Sequence, residues 1–331
     1  MASQIGNDPI HFLSLPPTQQ TDMEPVIKTD ALTMHFRRCD ALTAVDLEIQ
    51  PGTVFALLGE NGAGKTTMIR ILTGFQQPTS GTCTVCGVNP LRDPQGVRRQ
   101  IGYVSDAPAL YDWMSVAQIG GFTASFYDSS FLPTYEDAIR RYEIRPEQKI
   151  RHLSKGQRAK VALSLALAHD PSLLILDEPT SGLDPKVRRN FLESMIDRAA
   201  TGRTVFLSSH QISEVERVAD TIAILHHGRI RLHGPLAEIR ESIHEVVIDT
   251  DDPLRAIAPP PEPAEVLTEE TSGRSRQLFV RHLSPEMIQG LRDTPGVRDV
   301  RTRVATLEEI FVACTSRPAA SSMDRSLAAS I

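Results

Sequence analysis

Apolar runs alternate with segments of helical periodicity through the middle of the chain. The runs at residues 54–58 and 173–176 are uninterrupted, as in strands that are buried on both faces. Around them the pattern predicts strands at 44–49, 82–86, 204–208 and 221–226, helices at 66–72, 157–169, 185–200 and 212–219, and a mostly helical stretch at 116–142. Alternating strands and helices predict an α/β fold with a mainly parallel sheet that helices cover on both faces.

The pattern changes past residue 234, and four of the five residues at 259–263 are prolines that cannot continue a helix or a central strand. Strands at 246–248, 277–281 and 297–304 around a helix at 285–292 predict a small α+β unit. The predicted organisation is a disordered tail at 1–24, an α/β domain at 25–234 with a helical insert at about 107–168, an accessory domain at 235–315, and a disordered tail at 316–331.

Charge and composition narrow the function classes. The formal net charge of −6, without a long run of Lys or Arg, argues against nucleic acid as a partner. No apolar run approaches the roughly 18 residues needed to cross a bilayer, and no secretory signal begins the chain. We therefore expect a soluble, cytoplasmic chain. Its cysteines, expected to be free thiols, are Cys39, Cys83, Cys86 and Cys314.

Cys83 and Cys86 form a C-x-x-C pair, a spacing that also occurs in zinc and redox sites. A structural zinc site needs about four ligands, and the chain has no second cysteine pair. In a strand, residues three apart point to opposite faces. We therefore interpret the pair as two ordinary strand residues.

A glycine-rich segment links the run at 54–58 to the predicted helix at 66–72. Its residues are Gly59, Glu60, Asn61, Gly62, Ala63, Gly64, Lys65, Thr66 and Thr67. Between a strand and a helix, this is the P-loop pattern: backbone amides cradle phosphates, Lys65 reaches the β- and γ-phosphates, and Thr66 offers a hydroxyl to Mg²⁺. The alternative is a glycine-rich turn with a surface lysine. The strand and helix around it favour a nucleotide site.

Two carboxylates, Asp177 and Glu178, end the apolar run at 173–176. Asp177 is expected to help to hold Mg²⁺, and Glu178 is expected to orient the attacking water or accept its proton. Taken alone, the pair would more often be an ordinary strand end with two exposed acids. The P-loop earlier in the chain favours the catalytic interpretation.

Three further motifs complete a specific order. A pentapeptide of Leu153, Ser154, Lys155, Gly156 and Gln157 precedes Asp177-Glu178, while Ser181-Gly182-Leu183-Asp184 and then His210 follow it. With the P-loop, this order resembles the ATP-binding cassette (ABC) ATPases over about residues 26–234. The resemblance implies a P-loop NTPase fold in which an N-terminal antiparallel β part and the helical insert accompany the mainly parallel sheet. The resemblance implies that the pentapeptide is the signature motif, which binds the γ-phosphate held by the opposite subunit. A helix that begins there would present its positive end, and Lys155, where the family often has glycine, would add a charge.

The resemblance also assigns single residues. Asp184 belongs to the loop that crosses the dimer interface, His210 contacts the γ-phosphate, and Phe36 stacks on adenine or is a core residue of an N-terminal strand. Asp106 stands where many relatives have a glutamine that touches Mg²⁺ and signals to the membrane partner. Its carboxylate can accept from a metal-bound water but is shorter, and cannot donate when ionised.

The resemblance implies an ATPase that uses ATP and Mg²⁺, pairs with a second cassette (identical or paralogous), and works with an integral membrane permease. Residues 305–313 are similar to the end of the appendage in bacterial ABC-2-type exporter ATPases. We therefore expect the energy-providing subunit of an exporter for a drug, lipid, peptide or polymer, held at the inner face of the cell membrane by its permease.

Two other function classes stay open. One is a soluble ABC ATPase that acts on ribosomes or DNA, which the single cassette and the acidic balance disfavour. The other is a nucleotide-sensing module that does not hydrolyse ATP. The presence of Glu178 favours an enzyme over a sensor.

Overall fold

The computed structural model describes residues 24–181, 183–253 and 257–316. Apart from Glu24 and Ser316, the two predicted tails lie outside the described residues, as does Gly182. In chain order the elements are β1 (Ile27–Phe36), β2 (Cys39–Ile49), β3 (Val54–Leu58), α1 (Lys65–Leu72), β4 (Ser80–Val85), α2 (Pro94–Gln100), β5 (Ile101–Val104), α3 (Val116–Ala124), α4 (Phe131–Arg141), α5 (Lys155–Leu167), β6 (Leu173–Asp177), α6 (Pro185–Ala200), β7 (Thr204–Ser209), α7 (Ile212–Val218), β8 (Thr221–His226), β9 (Arg229–Pro235), α8 (Leu236–Ser242), β10 (Ile243–Thr250), β11 (Glu265–Ser272), β12 (Ser275–Arg281), α9 (Pro285–Arg292), β13 (Val297–Val304) and α10 (Leu307–Thr315).

A six-stranded sheet in the order β5-β6-β7-β3-β8-β9 forms the centre of the protein. Its first five strands are parallel, and only β9 runs antiparallel, so the predicted mainly parallel sheet is confirmed. Leu58 at the end of β3 pairs with Ser209 of β7, and Asp177 at the end of β6 pairs with Ser208. The carboxyl ends of three neighbouring strands therefore meet at one edge of the sheet, where ligands of open α/β sheets bind.

A second, antiparallel sheet in the order β2-β1-β4 packs over one face of the central sheet. Side chains such as Leu32 and Val45 share a buried cluster with Phe55 and Phe206 of the central strands. This is the expected N-terminal antiparallel part. Its β1–β2 turn carries Phe36 and Cys39 towards the P-loop.

The helical insert is built from α3, α4 and α5 around a cluster of its own, which includes Val116, Phe131 and Tyr135. The stretch predicted as mostly helical at 116–142 is two helices, because residues 125–130 turn the chain between them. The hydroxyl of buried Tyr135 donates to the carbonyl of Val116 at 2.8 Å and ties α4 to the start of α3.

The C-terminal residues form a four-stranded antiparallel sheet in the order β11-β12-β10-β13. Its strands and α9 enclose a small cluster that includes Val246 and Leu291. Leu307 and Ile310 of α10 instead share the large buried cluster with Val215 and Val218 of α7. The C-terminal unit therefore has one core of its own and one in common with the central sheet.

Seven elements were not predicted: β1, α2, β5, β9, α8, β11 and α10. They are short or carry polar side chains, so their periodicity is weak. β5 has four residues, and β11 contains three glutamates. The strands among them form because neighbouring strands supply backbone partners, an effect of tertiary structure that overrides local propensity.

Candidate functional site

The P-loop bends tightly against the β1–β2 hairpin. Gly62 and Gly64 have φ angles of 85° and 113°, in the region that favours glycine. A β-carbon on Gly64 would lie 2.3 Å from the carbonyl oxygen of Ala41, so the backbone leaves no room for a side chain there. The loop is therefore held closely over the start of α1, whose first residues Lys65, Thr66 and Thr67 line a cleft.

Lys65 folds back over the loop, and its side chain is only 6% exposed. Its Nζ donates to the carbonyl of Gly59 at 2.6 Å and to that of Glu60 at 3.3 Å. It also lies 3.2 Å from the Oε1 of Glu178, an ion-pair distance without hydrogen-bond geometry. A bound phosphate would compete with this carboxylate for the lysine.

A cleft of ≈ 450 Å³ surrounds this lysine. Predicted site residues that line it are Phe36, Glu60, Asn61, Gly62, Gly64, Lys65, Thr66, Thr67, Asp106, Asp177 and Glu178. Phe36 is 46% exposed, so it does not belong to the buried core, the alternative considered for it. Gly59 and Ala63 support the loop instead: Gly59 offers its carbonyl to Lys65, and Ala63 is buried.

Ser208 of β7 organises the two carboxylates. Its hydroxyl donates to the Oδ1 of Asp177 at 2.6 Å and accepts from the amide of Glu178 at 3.1 Å. Glu178 has a φ angle of 49°, which turns its side chain away from the strand. The buried carboxylate of Asp177 is thus held in one orientation, while Glu178 points towards Lys65 and His210.

His210 stands beside Glu178 at the end of β7. Its Nδ1 lies 2.8 Å from the Oε2 of Glu178. Glu178 therefore bridges a lysine on one carboxylate oxygen and a histidine on the other. This arrangement can hold and orient a water molecule and transfer its proton.

Oxygen donors suit a hard cation at this cleft. Among the described residues, no three His, Cys, Asp or Glu side chains are arranged to hold a metal by themselves. Thr66, Asp106 and Asp177 nevertheless line the same cleft. Mg²⁺ is usually bound by one or two protein carboxylates, waters and substrate phosphates, so these residues fit Mg²⁺ that is shared with a nucleotide.

The pentapeptide 153–157 lies elsewhere on this chain. Ser154 caps α5 and accepts from the amide of Gln157 at 3.2 Å, while the Gln157 side chain accepts from the amide of Ser154 at 3.0 Å. Leu153 and Lys155 line a different cleft, of ≈ 540 Å³. Gly156 is open, since an added β-carbon would meet only Val187 at 3.6 Å. None of the five lines the P-loop cleft.

Asp184 begins α6. Its Oδ1 accepts from the amides of Lys186 and Val187 at 3.1 and 3.0 Å, the N-cap geometry expected before Pro185. The structure does not bring Asp184 to the P-loop cleft of the same chain.

Some residues of the site were missed in the sequence. Cys39, Asp40, Ala41 and His227 line the cleft. His227 arrives because the β8–β9 turn reaches the P-loop, where the amide of Gly228 donates to the carbonyl of Ala63 at 3.0 Å. No local pattern could have indicated these residues, since their place depends on contacts between distant segments.

The C-x-x-C pair has no part in the cleft. Cys83 is buried in β4, which raises the pKa of its thiol to about 11. Cys86 lies just beyond the strand, with its sulfur 3.5 Å from the hydroxyl of Ser172. The two thiols thus have different surroundings.

A parallel sheet with a P-loop after β3, a carboxylate pair at the end of β6 and a histidine after β7 defines a P-loop ATPase. Residues 42–181 match the family model described as ABC transporter. The chain is 36% identical over 286 residues to the Nod factor export ATP-binding protein I of Cupriavidus metallidurans, which covers 82% of this chain and 91% of that protein.

Other comparisons agree. The chain is 35% identical over 216 residues to the ABC-type transporter ATP-binding protein EcsA of Bacillus subtilis, covering 63% of this chain and 87% of that protein. A solved structure, titled as the ATP binding subunit of an ABC transporter, superposes with a TM-score of 0.61 at 31% identity over 65% of this chain and 92% of the other. The chain belongs to the ABC transporter family, as an ATP-binding subunit that hydrolyses ATP.

Proposed function

We propose that this chain is the ATPase subunit of an ABC exporter and that residues 25–234 carry the catalysis. ATP would lie in the P-loop cleft, with adenine on Phe36 and its phosphates on the loop amides and Lys65. Thr66, Asp177 and Asp106 would hold Mg²⁺ with the phosphates. Bound there, Mg²⁺ would neutralise charge on the phosphates. The juxtaposition of Lys65, Glu178 and His210 supports this proposal most directly.

Hydrolysis would use Glu178 as the base. The triphosphate would displace Glu178 from Lys65, which frees the carboxylate to accept a proton from water. The water oxygen bonds to the γ-phosphorus, the bond to the bridging β–γ oxygen breaks, and ADP and phosphate leave. His210 would orient Glu178 and contact the γ-phosphate.

A second cassette would complete the site. Ser154 and Gly156 lie at the start of α5, outside the P-loop cleft of their own chain, where a helix start can bind a phosphate. We propose that the pentapeptide 153–157 of one subunit closes over the γ-phosphate of the other, with Asp184 in the loop between them. The partner would be a second copy or a paralogue.

A permease would supply the membrane path, because the described residues contain no helix long and apolar enough to span a membrane. An aromatic patch supports this proposal, because Tyr111, Trp113, Phe122 and Phe126 are all exposed. The ring of Tyr111 lies between those of Trp113 and Phe122, and Phe122 lies next to Phe126. The centroids of neighbouring rings are 5.4 to 6.0 Å apart. Exposed apolar patches of this kind mark interaction sites. The segment from Asp106 to Tyr111 runs from the nucleotide cleft to the patch, so it could carry a signal between them.

Export is proposed by analogy with the relative named for Nod factor export. The cargo class stays broad: a drug, lipid, peptide or polymer. The chain would be held at the inner face of the cell membrane through its permease, and residues 235–315 would form an accessory domain.

A Glu178→Gln substitution tests the catalytic proposal. This variant should bind ATP, form dimers in its presence and turn over at least about 100-fold more slowly, the usual contribution of general base catalysis. Turnover and ATP-dependent size exclusion are measured in parallel. Unchanged turnover would show that another group activates the water.

The permease proposal needs a test of its own. A Trp113→Ser, Phe126→Ser variant should keep its ATPase activity in isolation and lose co-purification with membranes of the native cell. Retained co-purification would place the permease contact elsewhere.

A further inference from the structure

A buried carboxylate on α7 has no place in the roles assigned so far. Glu214 is 3% exposed, and its Oε2 accepts from the hydroxyl of Thr180 at 2.5 Å. Its Oε1 lies 3.2 Å from the Nε of Arg188, in ion-pair range but without hydrogen-bond geometry. Thr180, Arg188 and Glu214 thus form one contact, which we call the Glu214 clamp.

Arg188 extends the clamp in two directions. One nitrogen of its guanidinium group donates to the side-chain oxygen of Gln211 at 2.9 Å, and another donates to the carbonyl of Leu183 at 3.3 Å. Gln211 directly follows His210, and Leu183 precedes Asp184. The guanidinium group therefore joins the loop after β6 to the start of α7.

The clamp holds the loop that follows Glu178, of which the structure describes residues 179–181 and 183. At the start of this loop, Glu178 is fixed at its amide by Ser208. Two residues after Glu178, the buried side chain of Thr180 donates a hydrogen bond to Glu214 of α7. The loop is thus attached at Ser208 and at Glu214, and α7 itself begins two residues after His210.

Because Thr180 and Glu214 are both buried, the contact between them is costly to break. A buried carboxylate is costly unless it is paired, and removing one partner leaves a charge or a polar group without compensation. The loop therefore cannot leave Glu214 without a penalty. We expect such an anchor where the distance between two side chains must stay constant. Here that distance is the 2.8 Å between the Oε2 of Glu178 and the Nδ1 of His210.

We propose that Thr180, Arg188 and Glu214 are positioning residues for ATP hydrolysis, which set the place of Glu178 relative to His210 without touching the nucleotide. This inference rests on the proposed role of Glu178 as base. It predicts that the clamp affects the chemical step and leaves ATP binding nearly unchanged. A catalytic group displaced by about 1 Å can cost about 100-fold in rate.

A Thr180→Val substitution removes one hydroxyl and keeps the shape of the side chain. We expect kcat to fall about tenfold or more while the KM for ATP changes by less than about twofold, the pattern of a defect in the transition state. Thr29→Val is the matched control: Thr29 is also buried, and its hydroxyl makes one hydrogen bond, to the carbonyl of Val45 at 2.9 Å. The control should also lose some stability, because a buried carbonyl loses its hydrogen bond, and it should keep its kcat.

The ion pair is tested by Arg188→Gln, Glu214→Gln and the double variant. Because the residues act as a unit, the loss of kcat in the double variant should match the larger single loss instead of the product of both. Thermal unfolding of each variant is recorded, so that rates are compared only between folded proteins.

The outcomes separate this inference from the proposed function. If Glu178→Gln is inactive and Thr180→Val keeps its kcat, the clamp is structural only and the inference is wrong. Equal effects of Thr180→Val and Thr29→Val, or a rise in KM as large as the loss of kcat, would also overturn it. Normal hydrolysis by Glu178→Gln would instead refute the catalytic assignment.

Discussion

Gly64 offers the most direct test of how the P-loop is built. A Gly64→Ala substitution adds one methyl group where φ is 113° and where the carbonyl oxygen of Ala41 would be 2.3 Å away. Ordinary van der Waals contact begins at 3.4 Å, so the loop or the hairpin must move by about 1 Å. The next closest atom, Cδ2 of Leu42 at 3.1 Å, blocks part of that movement.

The expected cost has two parts. Backbone strain at a positive φ contributes about 1–3 kcal/mol and crowding a further 1–3 kcal/mol, so unfolding should become easier by about 2–6 kcal/mol. A 1 Å shift of the phosphate-binding amides should lower ATP turnover by about 100-fold. ATP affinity should fall as well, since in the proposed complex these amides would face the phosphates in both the ground state and the transition state.

Gly202→Ala separates strain from crowding. Gly202 has a φ angle of 81°, and an added β-carbon would meet nothing within 4 Å. This control should lose only the strain term and keep full turnover. Urea unfolding, ATP binding and phosphate release are measured for both variants. If Gly64→Ala is no less stable than Gly202→Ala and still hydrolyses ATP, the contact with Ala41 does not shape the P-loop.

Three further predictions concern other parts of the chain. Asp106→Ala should slow hydrolysis more than it weakens ATP binding, because Asp106 lines the cleft as a proposed Mg²⁺ ligand, while the P-loop and Lys65 would still hold the phosphates; wild-type turnover would refute this. Arg303 and the N-cap of α10 lower the pKa of Glu309 to about 2, from 4.5. Glu309→Gln should therefore be less stable than the parent protein at neutral pH. The difference in stability should shrink below pH 4.5 and vanish near pH 2. Urea unfolding of both proteins across that pH range checks this prediction, and a difference that stays constant would contradict it. Exposed Cys39 lines the cleft, whereas burial raises the pKa of Cys314 to about 12, so a thiol reagent should modify Cys39 first and ATP should slow that reaction. Mass spectrometry of the labelled peptides tests this, and equal labelling with and without ATP would count against it.

Contiguous motifs made much of the site predictable. The P-loop and the Asp177-Glu178 pair each lie within a few residues of a strand end, so the sequence that forms the strand also delivers the chemistry. The predicted first and last residues of an element were right where strong local signals mark them. The helix at Pro185–Ala200 has an N-cap and a proline at its start, and the strand at Val54–Leu58 is apolar throughout. Such signals depend on neighbours along the chain alone.

What only the tertiary structure decided is which distant groups meet. Ser208 reaches Asp177 because β6 and β7 are neighbours, and His227 reaches the cleft through the turn after β8. The pairing of Glu214 with Thr180 joins residues 34 positions apart, through the packing of α7 against the loop after β6. Side-chain contacts of this kind depend on strand order and helix packing, which no short stretch of sequence specifies. The sequence by itself determined the chemistry and the alternation of strands and helices, whereas folding determined how the catalytic groups are held.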